Sequence, residues 1–267
     1  MKQFSVIGGG TMGGTFVAAL LSNGITTPES IVICETIAER RAALAKEFGV
    51  EVTADPAEAA HQAPVIFLAV KPQDFHTVAG TLQGLILPEQ LIVSIMAGVT
   101  IDSLRDELGH RPVVRVMPNT PAQVGQGMLV WTAAPEVSQA QRDEVQRMLA
   151  TMGREIYVEE ERIVDMATAV SGSGPGFIFL VIEAMIDGGV EIGLRRELAE
   201  ELVLQTVMGA GAFAQQSDEH VAELRNLVTS PGGTTAAGLL AMERHGVRVG
   251  LMEAVIEAYR RAQELGD

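Results

Sequence analysis

Three observations predict an α/β chain built in two parts, a doubly wound sheet followed by an all-helical domain. An apolar β run, Phe4 to Ile7, ends in a glycine turn that opens directly into an apolar helical stretch. Up to about residue 160, short apolar runs alternate with helical patterns, the order that builds βαβ units and a parallel sheet. From Glu161 onward β signal almost vanishes and successive segments read as helices. The boundary therefore falls at residue 160, with residues 1–160 as the first domain and 161–267 as the second.

The turn comes first. Gly8, Gly10 and Gly13 have the G-x-G-x-x-G spacing of a loop that carries a dinucleotide pyrophosphate, so residues Ile7, Gly8, Gly9, Gly10, Thr11, Met12 and Gly13 read as a Rossmann-like binding turn. Gly8 makes the tight turn, Gly10 lets the backbone approach the anion, and Gly13 lets the helix pack on the strand. The helix N-terminus then presents N–H groups to negative charge. Three glycines can meet by chance in a chain with 28 of them. The strand before, the helix after, and Glu35 closing the next strand favour the dinucleotide reading.

The remaining elements follow in order. Residues 31–35 read as the second strand and 38–48 as a helix. Residues 65–70, Val-Ile-Phe-Leu-Ala-Val, are continuously apolar, as a parallel strand covered on both faces must be. Residues 91–95 and 113–117 repeat that pattern, and 127–132 and 155–158 read as further strands around a helix over 138–152. Helices are expected over 163–169, 175–193, 195–215, 219–226, 234–245 and 247–265. Phe177 to Ile186 is apolar nearly all round, and such a helix must be covered on every side. A helical domain of this size hardly encloses it alone, so a second subunit is the expected cover.

Composition limits the function. The 267 residues carry a net charge of −15, which repels a nucleic-acid polyanion. The single Cys34 excludes an intramolecular disulfide and any multi-cysteine metal site. The first strand starts at once, without a basic-plus-apolar leader. The apolar stretch 174–193 contains Glu183, Asp187 and Glu191, which argues against a membrane span. A soluble, cytoplasmic protein is expected.

Four more loops carry candidate chemistry. Val70-Lys71-Pro72-Gln73 leaves the C-terminal end of a buried strand, the side on which open α/β sheets bind ligands, and reads equally as a plain strand-to-helix turn with Pro72 at the first helical position. Met117-Pro118-Asn119-Thr120-Pro121 leaves another strand the same way. The Asn119 amide suits a carboxamide such as that of nicotinamide, or else bonds its own backbone in a proline-stiffened turn. Ser171-Gly172-Ser173-Gly174-Pro175 opens the long apolar helix, with Ser173 as its N-cap and Pro175 in its first turn. Thr229 to Thr235 precedes the helix over 234–245, and its glycine N–H groups form either an anion cradle fit for a carboxylate or simply a capped helix start. The lysines are Lys2, Lys46 and Lys71, so the second domain has none to act as a base. None of His61, His76, His110, His220 and His245 has a metal-ligand companion at useful spacing, and no metal is expected. Glu183 and Asp187 lie one turn apart on a helix face, which fits acid–base machinery less well than helix–helix hydrogen bonding.

Together these loops, in this order and spacing, resemble the pyrroline-5-carboxylate reductase family over essentially the whole chain: Ile7–Gly13, Ala69-Val70-Lys71-Pro72, the Asn119 loop, Ser171–Pro175 and Ser230–Thr235. The resemblance implies hydride transfer from NADH or NADPH to the cyclic imine 1-pyrroline-5-carboxylate, giving L-proline. It implies the dinucleotide on Ile7 to Gly13, Glu35, Ala69, Val70, Lys71, Pro72 and Asn119. The substrate carboxylate would rest on the N–H groups of Gly233, Thr234 and Thr235, with the Thr235 hydroxyl donating a hydrogen bond to the ring nitrogen. Glu161 matches a family acidic position near the substrate. The resemblance also implies a homodimer, which in the family assembles further into rings.

Two positions depart from the family pattern: Glu35, where many members carry a small or amide residue, and Pro56, where many carry asparagine. Glu35 suits the ribose hydroxyls of NADH and repels the 2′-phosphate of NADPH, while Arg40 and Arg41 pull the other way. NADH is the expected preference. The second enzyme reading, a β-hydroxyacid dehydrogenase, requires a lysine on the long helix that this chain lacks. A catalytically silent dinucleotide sensor would not need the intact Ser230–Thr235 loop.

Overall fold

A computed structural model describes residues 2–265. Contacts divide it into two units, one running to Ser173 and resuming at Ala258, the other spanning Gly174–Glu257. The division comes later than the sequence boundary, because the helix after Glu161 stays with the sheet.

The first unit holds an eight-stranded sheet ordered β3-β2-β1-β4-β5-β6-β7-β8. Its elements run β1 (Phe4–Ile7), α1 (Thr11–Ser22), β2 (Ile31–Cys34), α2 (Ala38–Phe48), β3 (Glu51–Thr53), α3 (Pro56–Ala60), β4 (Val65–Leu68), α4 (Pro72–Leu82), β5 (Leu91–Ser94), α5 (Ile101–Leu108), β6 (Val113–Met117), β7 (Gly127–Ala133), α6 (Gln139–Ala150), β8 (Gly153–Tyr157) and α7 (Arg162–Ala167). Strands β3 to β6 are mutually parallel; β7 pairs antiparallel with β6, and β8 runs parallel to β7. All residues of β1, β2, β4 and β5 are buried, as expected of strands with helices on both faces. The strand order reverses between β1 and β4, and ligands of such sheets bind outside the strand ends at that point. The sequence reading passes over β3, α3 and α5. The first is a short edge strand with polar Glu51 and Thr53; the two helices are short and rest on their caps, Asp55 Oδ1 accepting from Ala57 N–H and Thr100 Oγ1 from Ser103 N–H.

Ser173 does not start a helix. One helix runs from Arg162 to Glu191, broken by a π turn over Thr168–Gly172, with Ser173 N–H donating to Thr168 O at 2.8 Å. By length and composition alone this helix could cross a membrane. Its second part, α8 (Gly174–Glu191), opens the second unit and packs on α9 (Arg196–Gln216) around Ile186, Ala199 and Val203. A Cβ on Gly189 would lie 3.1 Å from the Ala199 Cβ, which is how closely these helices approach. Then come α10 (Val221–Leu227), α11 (Thr234–Arg244) and α12 (Val247–Glu264), whose last residues count with the first unit. Ile186 is the one buried residue of α8, while Phe179 is 60% and Leu180 66% exposed.

Candidate active site

The glycine turn is built as its spacing requires. Gly8 has φ +105°, and its N–H donates to Cys34 O at 2.9 Å. A Cβ on Gly8 would stand 2.6 Å from Ala69 O, so the end of β4 closes against the turn. A Cβ on Gly13 would collide with the Gly8 carbonyl oxygen, and the bare Cα is what lets α1 begin against β1. Gly10 differs: a Cβ there would meet nothing within 4 Å, which leaves room for a ligand to approach the backbone. Gly14 N–H is the first in α1 to donate back, to Gly10 O at 2.9 Å. The N–H groups of Thr11, Met12 and Gly13 therefore have no helical acceptor. The Met12 side chain packs on the core, so only its main chain faces the turn.

Two cavities flank the turn. The larger, about 900 Å³, follows α1 and α2 out to Thr151. The smaller, about 440 Å³, lies where the strand order reverses and is lined by Ile7, Gly8, Glu35, Pro56, Ala69, Val70 and Lys71 among others. The smaller one sits at the strand ends, where the topology directs a ligand. Lys71 and Arg40 line both. Pro72 is the first residue of α4, with Lys71 in extended conformation before it.

Glu35 is 7% exposed on the wall of the smaller cavity. Its Oε1 accepts from Ile37 N–H at 2.9 Å. Its Oε2 faces Gly9, whose Cβ, if present, would be 3.3 Å away. Arg41 Nη1 donates to the carbonyls of Glu35 and Thr36, both at 2.7 Å, so this arginine braces the loop. The neighbouring Cys34 thiol is pushed up to about 11, mainly by burial and then by nearby carboxylates, and stays protonated.

Two of the expected site residues make bonds within the first unit near the end of β6. The Asn119 amide is engaged at both ends, Nδ2 donating to Ser171 O and Oδ1 accepting from Met128 N–H, each at 2.9 Å. One of its two amide N–H donors is thus committed to the Ser171 carbonyl. Glu161 Oε1 accepts from Ile101 N–H at 2.8 Å and from Arg115 Nη1 at 2.9 Å, so this oxygen braces the first unit. Arg115 went unnoticed in the sequence reading. It is 1% exposed on β6, and its Nη2 donates to Asp165 Oδ1 at 2.5 Å. An arginine inside the run Val-Val-Arg-Val-Met was the available signal, since a buried guanidinium requires carboxylate partners.

In the second unit, Gly232 takes φ +69° and Gly233 precedes α11 in extended conformation. The Gly233 N–H donates to Ser230 O at 3.0 Å, so here it closes the turn. A Cβ on Gly233 would collide with Ser230 Oγ, so this glycine shapes the turn. The N–H groups of Thr234 and Thr235 lie in the first turn of α11, where a helix supplies no acceptor. Ala237 N–H is the one that donates back to Gly233 O. Among the described residues, no group of three or more His, Cys, Asp and Glu is arranged to hold a metal ion.

Comparison with known proteins decides the family. The chain is 41% identical over 264 residues to a pyrroline-5-carboxylate reductase of Synechocystis, covering 99% of this chain and 98% of the relative. The chain belongs to the pyrroline-5-carboxylate reductase family. A Pseudomonas aeruginosa reductase of that name is likewise 41% identical, over 99% of this chain and 97% of its own. The model of the pyrroline-5-carboxylate reductase dimerisation family matches residues 161–265, and that of the coenzyme F420-dependent NADP oxidoreductases matches residues 3–98. Among solved structures, the Plasmodium falciparum pyrroline carboxylate reductase with NADP bound superposes with a TM-score of 0.92 at 30% identity, covering all of this chain and 98% of that one. The Coxiella burnetii reductase gives 0.89 at 34%, covering 100% and 99%.

Proposed function

We propose that the chain catalyses the last step of proline biosynthesis, the reduction of 1-pyrroline-5-carboxylate to L-proline with NADH or NADPH. The full-length likeness to reductases of this name carries the reading. A dinucleotide fits the first unit: Gly10 has open space at its Cβ position, N–H groups are free at the α1 N-terminus, and the cavity lies at the strand reversal. Thr11, Met12 and Gly13 bind the pyrophosphate through their N–H groups, and Glu35 takes ribose hydroxyls on Oε2. Ala69, Val70 and Lys71 wall the cavity from the β4 side, and Pro72 follows them as the first residue of α4. When bound, the nicotinamide supplies the hydride.

The second unit holds the substrate. Thr234 and Thr235 receive the imine carboxylate on their N–H groups, where the helix end favours an anion. The Thr235 hydroxyl donates a hydrogen bond to the ring nitrogen. A hydroxyl is a poor free acid near neutral pH, so this one orients and polarises the imine and passes on a solvent proton. Residues 1–160 and 161–267 divide the work of cofactor and substrate, and the protein acts as a homodimer built on the second part. That part matches a dimerisation family, and α8 leaves Phe179 and Leu180 uncovered within one chain. The helix over 162–191 is on this reading a subunit face, not a lipid face. The enzyme works in the cytoplasm, where the buried Cys34 thiol stays reduced.

The deciding measurement is loss of nicotinamide absorbance with 1-pyrroline-5-carboxylate, alongside other cyclic imines and 2-oxo acids. No consumption at saturating cofactor and substrate would sink the proposal. Thr235→Ala should lower kcat by about tenfold or more with cofactor affinity nearly unchanged, since a lost transition-state hydrogen bond is worth roughly 1.5–3 kcal/mol when charge-assisted. Wild-type turnover in that variant would remove Thr235 from the mechanism.

A further inference from the structure

Alternate residues of β6 and its extension share one side, and three of them grip the stretch 161–172. Arg115 holds Glu161 and Asp165. Met117 fills the space beside Gly172, where a Cβ would come within 2.7 Å of Met117 Cε. Asn119 reaches Ser171 O. That last bond has a specific cause. In a continuous α-helix the carbonyl of Ser171 would accept from the N–H four residues on, but that residue is Pro175, which has none. The helix answers with the π turn over Thr168–Gly172, and the Asn119 amide takes up the Ser171 carbonyl.

We propose that Asn119 is a positioning residue: it captures the Ser171 carbonyl left open by Pro175, and so locks the π turn beside the C-terminal end of β6. The inference rests on the reading of the first unit as the cofactor-holding one. The C-terminal strand ends are the floor on which a dinucleotide lies. A π turn free to slip back toward α geometry shifts Gly172 against Met117 and disturbs that floor. Asn119 therefore acts on turnover through the 168–173 backbone, without touching the cofactor.

The test removes one bond at a time. Asn119→Asp keeps an oxygen for Met128 N–H and loses the donor to Ser171 O. The expected result is a kcat lowered about five- to tenfold, the size of one lost hydrogen bond, with the cofactor KM within about twofold. Reduced 3-acetylpyridine adenine dinucleotide, whose acetyl group has no N–H, separates positioning from contact. Positioning leaves the ratio of kcat/KM between NADH and this analogue the same in wild type and variant. A ratio that collapses toward one in the variant means that Asn119 touches the carboxamide, and overturns the proposal; so does an unchanged kcat.

Pro175→Ala covers the case in which Asn119→Asp folds poorly. It gives Ser171 O a helical N–H, so the double variant should recover most of the turnover and soluble yield lost in the single one. A double variant no better than Asn119→Asp also overturns the proposal. Amide hydrogen exchange over 168–174, without substrate, should quicken in Asn119→Asp and slow again in the double variant. That arm stands apart from the assay: inactive wild type would count against the enzymatic reading, while unchanged exchange would count against the lock.

Discussion

Strand β4 and helix α8 are both apolar, and the chain treats them in opposite ways. Every residue of β4, Val65–Leu68, is buried within its own unit, between β1 and β5. Helix α8 has eighteen residues with Ile186 alone buried, and leaves Phe179 and Leu180 more than half exposed. The first unit thus completes its core by itself, around the Phe16–Phe67 stack at 3.9 Å and the paired strands. The second encloses a small cluster centred on Ile186, Ala199 and Val203. Uncovered apolar surface on this scale marks an association face. The difference teaches that the first unit buries its own apolar surface, whereas the second leaves much of its apolar helix face open within one chain.

The largest expected effect breaks that difference directly. Phe179→Asp with Leu180→Asp places charge on the exposed face of α8. Covering each native side chain is worth about 1.5–3 kcal/mol, and a charge in such a seam adds a desolvation cost. Sedimentation should show monomer or aggregate in place of dimer, and activity should vanish. The first unit should remain folded, because its core does not use these residues. A fully active dimer in this variant would remove α8 from the interface. In wild type the same runs should show whether dimers build a larger ring.

The next effect lies inside the first unit. Gly13→Ala puts a methyl against the Gly8 carbonyl, which is backbone and cannot swing aside. Overpacking of this kind costs about 1–3 kcal/mol or more, and it falls on the turn that receives the pyrophosphate. Cofactor affinity should drop by at least about tenfold, since each 1.4 kcal/mol is a factor of ten. Gly14→Ala, whose added Cβ would meet nothing within 4 Å, should change little. Equal losses in both variants would refute the steric account of Gly13.

What the sequence disclosed follows the same divide between local and distant causes. The glycine turn and the strands at 65–70, 91–95 and 113–117 were legible because spacing and apolar runs are local signals. The partners of Asn119, Ser171 O and Met128 N–H, were not legible, because they come from other stretches that only the fold brings together. The ion pair of Glu161 was hidden for the same reason, since Arg115 lies 46 positions away. The π turn had a local sign that was taken differently: Pro175 suggested a helix start, whereas inside a running helix it removes one donor. Gly233 was rightly seen as part of the turn, but its N–H proved to be occupied by Ser230 O three residues back.

Cofactor choice gives a smaller, sharper test of the first unit. Glu35 Oε1 is fixed by Ile37 N–H, and Arg41 is held by two carbonyls. That leaves Arg40 on the cavity wall to meet a 2′-phosphate. The carboxylate repels that phosphate, which carries about −1.5 to −2 charges near neutral pH. NADH should show the higher kcat/KM, and Glu35→Ser should move the ratio toward NADPH by about tenfold, the effect of roughly 1.4 kcal/mol. Wild type preferring NADPH tenfold would refute this and turn attention to Arg40.

The smallest effect separates the two units by their response to acid. His110 lies buried in the first unit with Nε2 donating to Gln90 O at 2.7 Å. Burial holds its pKa below the ordinary 6.5, against the weaker upward pull of that hydrogen bond. The unfolded chain therefore binds a proton at a higher pH than the folded one. Stability from this group is present in full above about 6.5 and is lost as pH falls through the folded value. Denaturant midpoints of the first unit should thus decline below that pH, independently of protein concentration. Midpoints for the second unit should instead rise with concentration, as expected where folding and association are coupled. His110→Gln should flatten the acid limb of the first transition and leave the second unmoved. An acid limb of the same steepness in that variant would assign the effect to other groups.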